Sequence, residues 1–438
     1  MQEITFLKEN NIFAFNDHFF ITGQTGSGKS VAAEWRLIQY TRSKKFLVID
    51  CGDMGRFENF CYSLPEKNAA LINRLYTLSE GKEPPNTTDS MNLLICGSGL
   101  YTTPKLPKNV TLCSFKKEDM KIKYMTRILG DTKNLMITLQ NLQAKFGEDF
   151  NLADLEELTF KGKVRGKKAG FYWGHQSTRN MMINHLRAWL KSGIFSDHPD
   201  VKKIDFKEIF NTTGKIISLN SYLLMTHENE IAYSIWLDQI FELKRTRQIN
   251  YPIVMYIREL SNFMAWGVCK DIIRILATQG RGYGIYLVAC FQSPTQIQPT
   301  VIRQQAGYTL QLKAGLAAAS HLLEIQIVPK DVIWKVPMFR SGEGILVTGQ
   351  GWFKNVQIPP TPHMHADPRR FDVLNEMGET YGWKDYDAAS ILNYGMELLE
   401  FSLRGEEDVE ENTPKEVFDE RIFPGANKFQ RKRMGLDQ

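Results

Sequence analysis

The chain has 438 residues, 43% hydrophobic and 24% charged, proportions that exclude collagen, fibrous repeats and disorder throughout. At about 150 residues per domain, the length allows two or three domains and a sizeable core. Lysine and arginine number 54 against 49 aspartate and glutamate, a formal net charge of +5, which permits a polyanionic partner without demanding one.

In chain order, Ile12 to Thr22 reads as strand and turn followed by strand, Val31 to Thr41 as a helix, and Phe46 to Asp50 as a buried strand. Glu80 to Ser90, with Gly81, Pro84, Pro85 and Asn86, is a surface loop before a short strand at Met91 to Cys96. Helical periodicity follows around Tyr124 to Ala144 and Asn180 to Lys191, on either side of a Lys/Arg/Gly stretch at Lys161 to Gly170. Alternation of strand and helix then resumes. The expected strands are Lys215 to Asn220, Ile253 to Ile257, Ile285 to Phe291, Gly307 to Leu312, Gly344 to Thr348 and Phe353 to Ile358. The helices between them cover about Glu228 to Arg247, a stretch ending near Gly280, and one starting near Gln296. Beyond Pro359 the chain is polar, with a helix over about Asp385 to Arg404, an acidic patch (Glu406 to Glu411) and a basic end (Lys428 to Arg433).

This alternation marks an α/β fold with a mostly parallel central sheet flanked by helices. The expected division is 1–114 as the first part of the core, 115–211 as an inserted helical and basic subdomain, 212–362 as the second part of the core, and 363–438 as a helical segment with a charged tail. Six cysteines, Cys51, Cys61, Cys96, Cys113, Cys269 and Cys290, form no C-x-x-C pair and no metal-spaced group with histidine, which suits a reducing, cytoplasmic interior. Met1 to Asn10 lacks the basic-then-apolar order of a signal peptide, and the apolar run Tyr283 to Phe291 falls short of the ~20 residues that cross a bilayer. A soluble chain without an integral membrane segment is expected.

Gly23-Gln24-Thr25-Gly26-Ser27-Gly28-Lys29-Ser30 fits G-x-x-x-x-G-K-[ST] at every fixed position, between the apolar run Phe19 to Ile21 and the helix from Val31. The glycines let successive N–H groups curl around the β-phosphate, and the helix terminus adds partial positive charge. Lys29 bridges the β- and γ-phosphates and the Ser30 hydroxyl coordinates Mg²⁺. ATP and Mg²⁺ are therefore the expected ligands. Tyr251 to Ile257 is a second strand, ending in Arg258-Glu259 where a Walker B acid is expected.

The run Gly280-Arg281-Gly282-Tyr283-Gly284-Ile285, an apolar strand, then Gln292-Ser293 resembles the FtsK/HerA superfamily of DNA-pumping P-loop ATPases, whose core is RecA-like. The nearest likeness is to viral genome-packaging ATPases and conjugative coupling proteins. Phage assembly proteins of the zonula-occludens-toxin type are relatives. The likeness spans about Phe19 to Asp53 and Gly214 to Pro362.

The resemblance implies that Gln292 senses the γ-phosphate, that Arg281 enters the neighbouring subunit's site, and that Asp50 serves Mg²⁺ or caps its turn. Family members end the Walker B strand in Asp-Glu. Here only Glu259 is kept, to polarise the attacking water, and Arg258 replaces the acid. Arg258 faces away from the nucleotide, or Asp50 replaces the missing acid, or hydrolysis is slow or lost.

The resemblance also implies an ATP-driven translocase in a homo-oligomeric ring, usually a hexamer, threading DNA, with double-stranded DNA favoured. It acts in viral packaging or plasmid transfer, with a capsid, portal or transfer-machinery protein as further partner, in a host cytoplasm if the source is viral. Lys161, Lys163, Arg165, Lys167 and Lys168, followed by Phe171, Tyr172 and Trp173, combine charge with stacking surface, as a DNA-contacting loop does. A solvated loop is the competing reading. The alternatives to a motor are a toxin-type assembly or secretion protein that binds nucleotide, and a hydrolysis-impaired switch.

Overall fold

In the computed structural model, the apolar runs of the sequence pair into one large sheet. The residues described are 5–6, 16–52, 91–96, 110–129, 133–191, 193–197, 199, 201–220, 224, 226–294, 297, 301–325, 328–349 and 353–358. The loop expected at Glu80 to Ser90 and everything expected beyond Pro359, including the helix, the acidic patch and the basic end, lie outside them.

The strands in chain order are β1 (Thr5–Phe6), β2 (His18–Thr22), β3 (Leu47–Gly52), β4 (Met91–Cys96), β5 (Val110–Ser114), β6 (Lys163–Val164), β7 (Lys167–Lys168), β8 (Lys202–Lys203), β9 (Ile216–Asn220), β10 (Ile253–Ile257), β11 (Ile285–Phe291), β12 (Ala306–Leu312), β13 (Glu343–Thr348) and β14 (Phe353–Gln357). Among the described residues, twelve of them form one sheet in the order β1-β14-β13-β12-β2-β11-β10-β3-β9-β4-β5-β8. Only the β12–β13 and β13–β14 pairs are antiparallel; the rest of the sheet is parallel. The expected α/β architecture with a mostly parallel, helix-flanked sheet is what the chain adopts.

Strands β2 and β10 are buried at every position, which is why they read as unbroken apolar runs: helices cover both faces of a parallel sheet. On one face Phe20, Ile49, Ile257 and Ala289 join Trp236, Ile240, Ile273 and Leu276 of the helices Thr226–Arg245 and Gly267–Gln279 in a continuous core. On the other face lies α1 (Lys29–Arg42), whose Arg36 guanidinium sits 5.3 Å over the Phe19 ring. Cys290 is 2% exposed, in the core as its apolar run implies.

Several elements depart from the sequence expectation. Where helical periodicity is expected around Tyr124 to Ala144, the chain forms two helices, Ile122–Ile128 and Lys133–Phe146. The helix leading to Gly280 is likewise two, Leu260–Ala265 and Gly267–Gln279, because Trp266 takes an extended conformation (φ −88°, ψ 118°). With Leu152–Lys161 and Gln176–Lys191, the helices of this middle segment pack Leu139, Leu155, Met182 and Leu186 into the same core as the sheet. Among the described residues, no helix is long and apolar enough to cross a membrane.

Candidate nucleotide site

Because β12, β2, β11, β10 and β3 are neighbours and run parallel, their carboxyl ends share one edge of the sheet, where α/β proteins place their ligands. The phosphate loop leaves β2 at this edge and enters α1 directly. Gly28 is the residue before α1 and has φ +97°, a conformation that an L side chain takes only under strain. The turn therefore needs glycine there, and it aims the first N–H groups of a 14-residue helix outward.

Lys29 is buried, and its Nζ donates to Gly23 O at 2.7 Å and Gln24 O at 3.0 Å. The ammonium thus lies inside the loop. Ser30, the second residue of α1, is half-buried, while Gln24, Thr25 and Gly26 are exposed. Two segments that the sequence did not single out hold the loop from behind. Gln24 N–H donates to Lys313 O at 2.8 Å, just past β12. Ser341 Oγ donates to Gly26 O and Gly342 N–H to Ser27 O, both at 3.0 Å. The last two bonds engage loop carbonyls, whereas the Gln24 N–H is spent on Lys313 and the Ser27 N–H on Gln24 O at 3.2 Å; the buried Lys29 ammonium and the N–H groups that open α1 fit a bound triphosphate. No motif marks such bracing residues, because they meet the loop only through tertiary contact.

Glu259 stands two residues past β10, after Arg258 and immediately before the helix Leu260–Ala265, and is half-buried; Gln292 directly follows β11 and is exposed. Since β11 lies between β2 and β10, both residues share the phosphate loop's edge. Asp50 and Arg258 form a buried ion pair, Nη2 to Oδ2 3.3 Å, with side chains 1% and 8% exposed. Ser218 Oγ donates to the same Oδ2 at 2.6 Å. Burial pushes the Asp50 carboxyl up to about 6, against the opposing pull of Arg258 and Ser218. Of the two residues expected to serve Mg²⁺, Ser30 fits at the helix start. Asp50 Oδ2 is engaged by Arg258 and Ser218, while its Oδ1 is buried without a hydrogen-bond partner.

Arg281 lies at the opposite edge, in the turn Gly280–Tyr283 that leads into β11. The seven residues of β11, at ~3.3 Å each, separate that turn from the phosphate-loop edge by roughly 20 Å. Within one chain Arg281 does not join the site.

The Lys161 to Gly170 stretch is an antiparallel hairpin of β6 and β7 rather than an open loop. Arg165 and Gly166 at its tip both have positive φ, 51° and 78°, the pattern of a type I′ turn. Arg165 is not a free cation: its Nε and Nη2 donate to Asp154 Oδ1 and Oδ2 at 3.2 and 3.0 Å. Lys161, Lys163, Lys167 and Lys168 are exposed. Of the aromatics expected to stack, only Tyr172 is free to do so, 84% exposed. Phe171 and Trp173 pack against the core, their rings edge to face at 5.4 Å.

No family profile matches the sequence, and no curated protein does. Solved structures do. The bacterial conjugative coupling protein TrwBdeltaN70 in complex with sulphate is 12% identical, covering 84% of this chain and 92% of its own with a TM-score of 0.51. The plasmid coupling protein TrwB in complex with ADP and Mg²⁺ gives 11%, 84%, 92% and 0.50. VirB4 of Thermoanaerobacter pseudethanolicus is 14% identical over 79% of this chain and 90% of its own, with a TM-score of 0.48. Strand order, phosphate loop and the likeness to the two coupling-protein structures agree: the chain has a P-loop NTPase fold.

Proposed function

We propose that the chain is an ATP-driven DNA translocase that works as a ring oligomer, a hexamer in this reading, in viral genome packaging or plasmid DNA transfer. The observation that carries it is the convergence of Lys29, Ser30, Glu259 and Gln292 on the carboxyl edge of three adjacent strands, β2, β11 and β10. Lys29 exchanges the carbonyls of Gly23 and Gln24 for phosphate oxygens, and the N–H groups that open α1 take the rest of the anion. The Ser30 hydroxyl would hold Mg²⁺, which would supply neutralising charge to the phosphates. Glu259 accepts a hydrogen bond from the attacking water and draws its proton, while the Gln292 amide orients it. Arg281, remote from its own phosphate loop, serves the site of a second copy.

DNA contact is assigned to the β6–β7 hairpin. Lys163 and Lys168 stand directly opposite each other across the ladder, an arrangement that like charges disfavour and that a phosphate between them would relieve. Lys161, Lys167 and the exposed Tyr172 extend the surface; Arg165 shapes the turn. Contacts to phosphate carry no sequence information, so binding is expected to be salt-sensitive and sequence-tolerant.

A second reading, a hydrolysis-impaired nucleotide switch, is favoured by one observation: Asp50 is locked to Arg258 in place of the acid pair. ATP hydrolysis with and without double-stranded DNA tests both. DNA-stimulated turnover supports the translocase, whereas intact ATP binding without turnover supports the switch.

A further inference from the structure

At the amino-terminal edge of the sheet, three segments meet around one guanidinium. Arg281 Nη1 lies 3.1 Å from Asp17 Oδ1, and Nη2 lies 3.3 Å from Gln305 Oε1. Asp17 immediately precedes β2 and Gln305 immediately precedes β12; β2 lies between β11 and β12. The contact therefore joins the entrances of three adjacent strands.

The carboxylate that holds Arg281 is itself fixed. Asp17 Oδ1 accepts the His18 N–H at 2.8 Å. The imidazole of His18, fully buried, accepts the Leu287 N–H at Nδ1 (2.9 Å) and donates from Nε2 to Ala277 O (3.0 Å). It ties the start of β2 to β11 and to the helix that ends just before Arg281. Burial, and then the charge of Arg281, holds His18 down to about 4, so this neutral bridge persists at neutral pH. Gly307 makes room for the carboxylate: a Cβ there would stand 2.0 Å from Asp17 Oδ2, and its three nearest atoms all belong to the Asp17 carboxylate. Gly307 does not take a positive φ. Space, not conformation, requires glycine at this position.

We infer that Asp17, assisted by Gln305, is a positioning residue that presents the Arg281 guanidinium at the subunit surface for the nucleotide site of a second copy of the chain. A guanidinium carries five N–H donors, and two of its nitrogens are engaged here, so donors remain for a phosphoryl oxygen. A cation fixed before the partner arrives needs no reorganisation during reaction. The Arg281 and Asp17 side chains are 45% and 25% exposed, and such pairs contribute little to stability. The contact is better suited to aiming a side chain than to holding up the fold. The inference rests on the reading of Arg281 as a residue that acts in trans.

The test is steady-state ATP hydrolysis by the full-length chain carrying Arg281→Ala, Asp17→Asn or Gly307→Ala, the last of which displaces Asp17 without altering it. Arg281→Ala should lose ~10³ in rate. Asp17→Asn and Gly307→Ala should each lower kcat by roughly 10- to 100-fold, with KM for ATP and the thermal midpoint unchanged. Mixing either with Lys29→Ala subunits should restore part of the turnover. The Lys29→Ala subunit brings an intact Asp17–Arg281 pair to a partner with an intact phosphate loop. If Arg281→Ala keeps full turnover, the in-trans reading itself falls. If Arg281→Ala is inactive while Asp17→Asn and Gly307→Ala keep the parental kcat, or lose it without recovery on mixing, the positioning role is overturned and that reading stands.

Discussion

The Arg258 guanidinium lies 3.3 Å from the Asp50 carboxylate, inside the sheet and beside the end of the strand that leads to Glu259. Arg258 thus turns toward β3, and the cation that stands in place of an acid is matched by an acid from the next strand. Removing one partner leaves the other buried and uncompensated, which costs about 3–5 kcal/mol. We expect Arg258→Ala and Asp50→Ala to be strongly destabilised in denaturant unfolding. Arg258→Asp should be worse, because it sets two buried carboxyls face to face; adding Asp50→Asn should recover part of the loss. Equal stability of Arg258→Asp and the parent would contradict the pair.

The raised pKa of Asp50 gives a pH dependence of definite sign. Its folded value of about 6 lies above the ordinary 3.8, so its contribution to stability is fully present below about pH 4 and is lost as pH rises through about 6. Asp50→Asn mimics the protonated form at every pH. The thermal midpoint of Asp50→Asn should therefore gain on the parent between about pH 4 and 6 and run parallel to it above that range. A gap that narrows with rising pH would reverse the sign.

In the phosphate loop, Lys29→Ala is expected to abolish ATP hydrolysis, and Ser30→Ala to weaken Mg²⁺-dependent nucleotide binding. Calorimetric titration with a non-hydrolysable analogue, with and without Mg²⁺, checks both. Unchanged affinity and turnover in the two variants would remove the assignment of the loop.

For Glu259 the informative variant is Glu259→Gln, which can still hydrogen-bond but is a poor base. ATP affinity should be kept and turnover lost, by ~10² or more. A fully active Glu259→Gln would place the catalytic carboxylate elsewhere.

On the hairpin, Lys163→Glu with Lys168→Glu should weaken DNA binding for all sequences alike and flatten its dependence on salt, by a slope of roughly 1 for each phosphate that is no longer neutralised. Arg165→Ala should instead act on thermal stability, since Arg165 pins the turn to Asp154. Parental DNA affinity in the double lysine variant would move the DNA surface off this hairpin.

The sequence by itself determined the elements whose signal is local. Strands β2, β10 and β11 were legible because burial on both faces forces unbroken apolar runs, and Gly23 to Ser30 because phosphate binding needs fixed residue types at fixed spacing. The helix break at Trp266 was less legible, since tertiary packing overrides a weak propensity. What faces what was decided only by the tertiary structure. The pairing of Arg258 with Asp50, the bracing of Gly26 and Ser27 by Ser341 and Gly342, and the meeting of Asp17 with Arg281 join residues up to 315 positions apart. No periodicity records such contacts, because a side chain's partner across a sheet depends on strand order. The same holds for the basic stretch from Lys161: its composition promised five free cations, and only the fold showed that Arg165 is committed to Asp154 and that Phe171 and Trp173 turn inward.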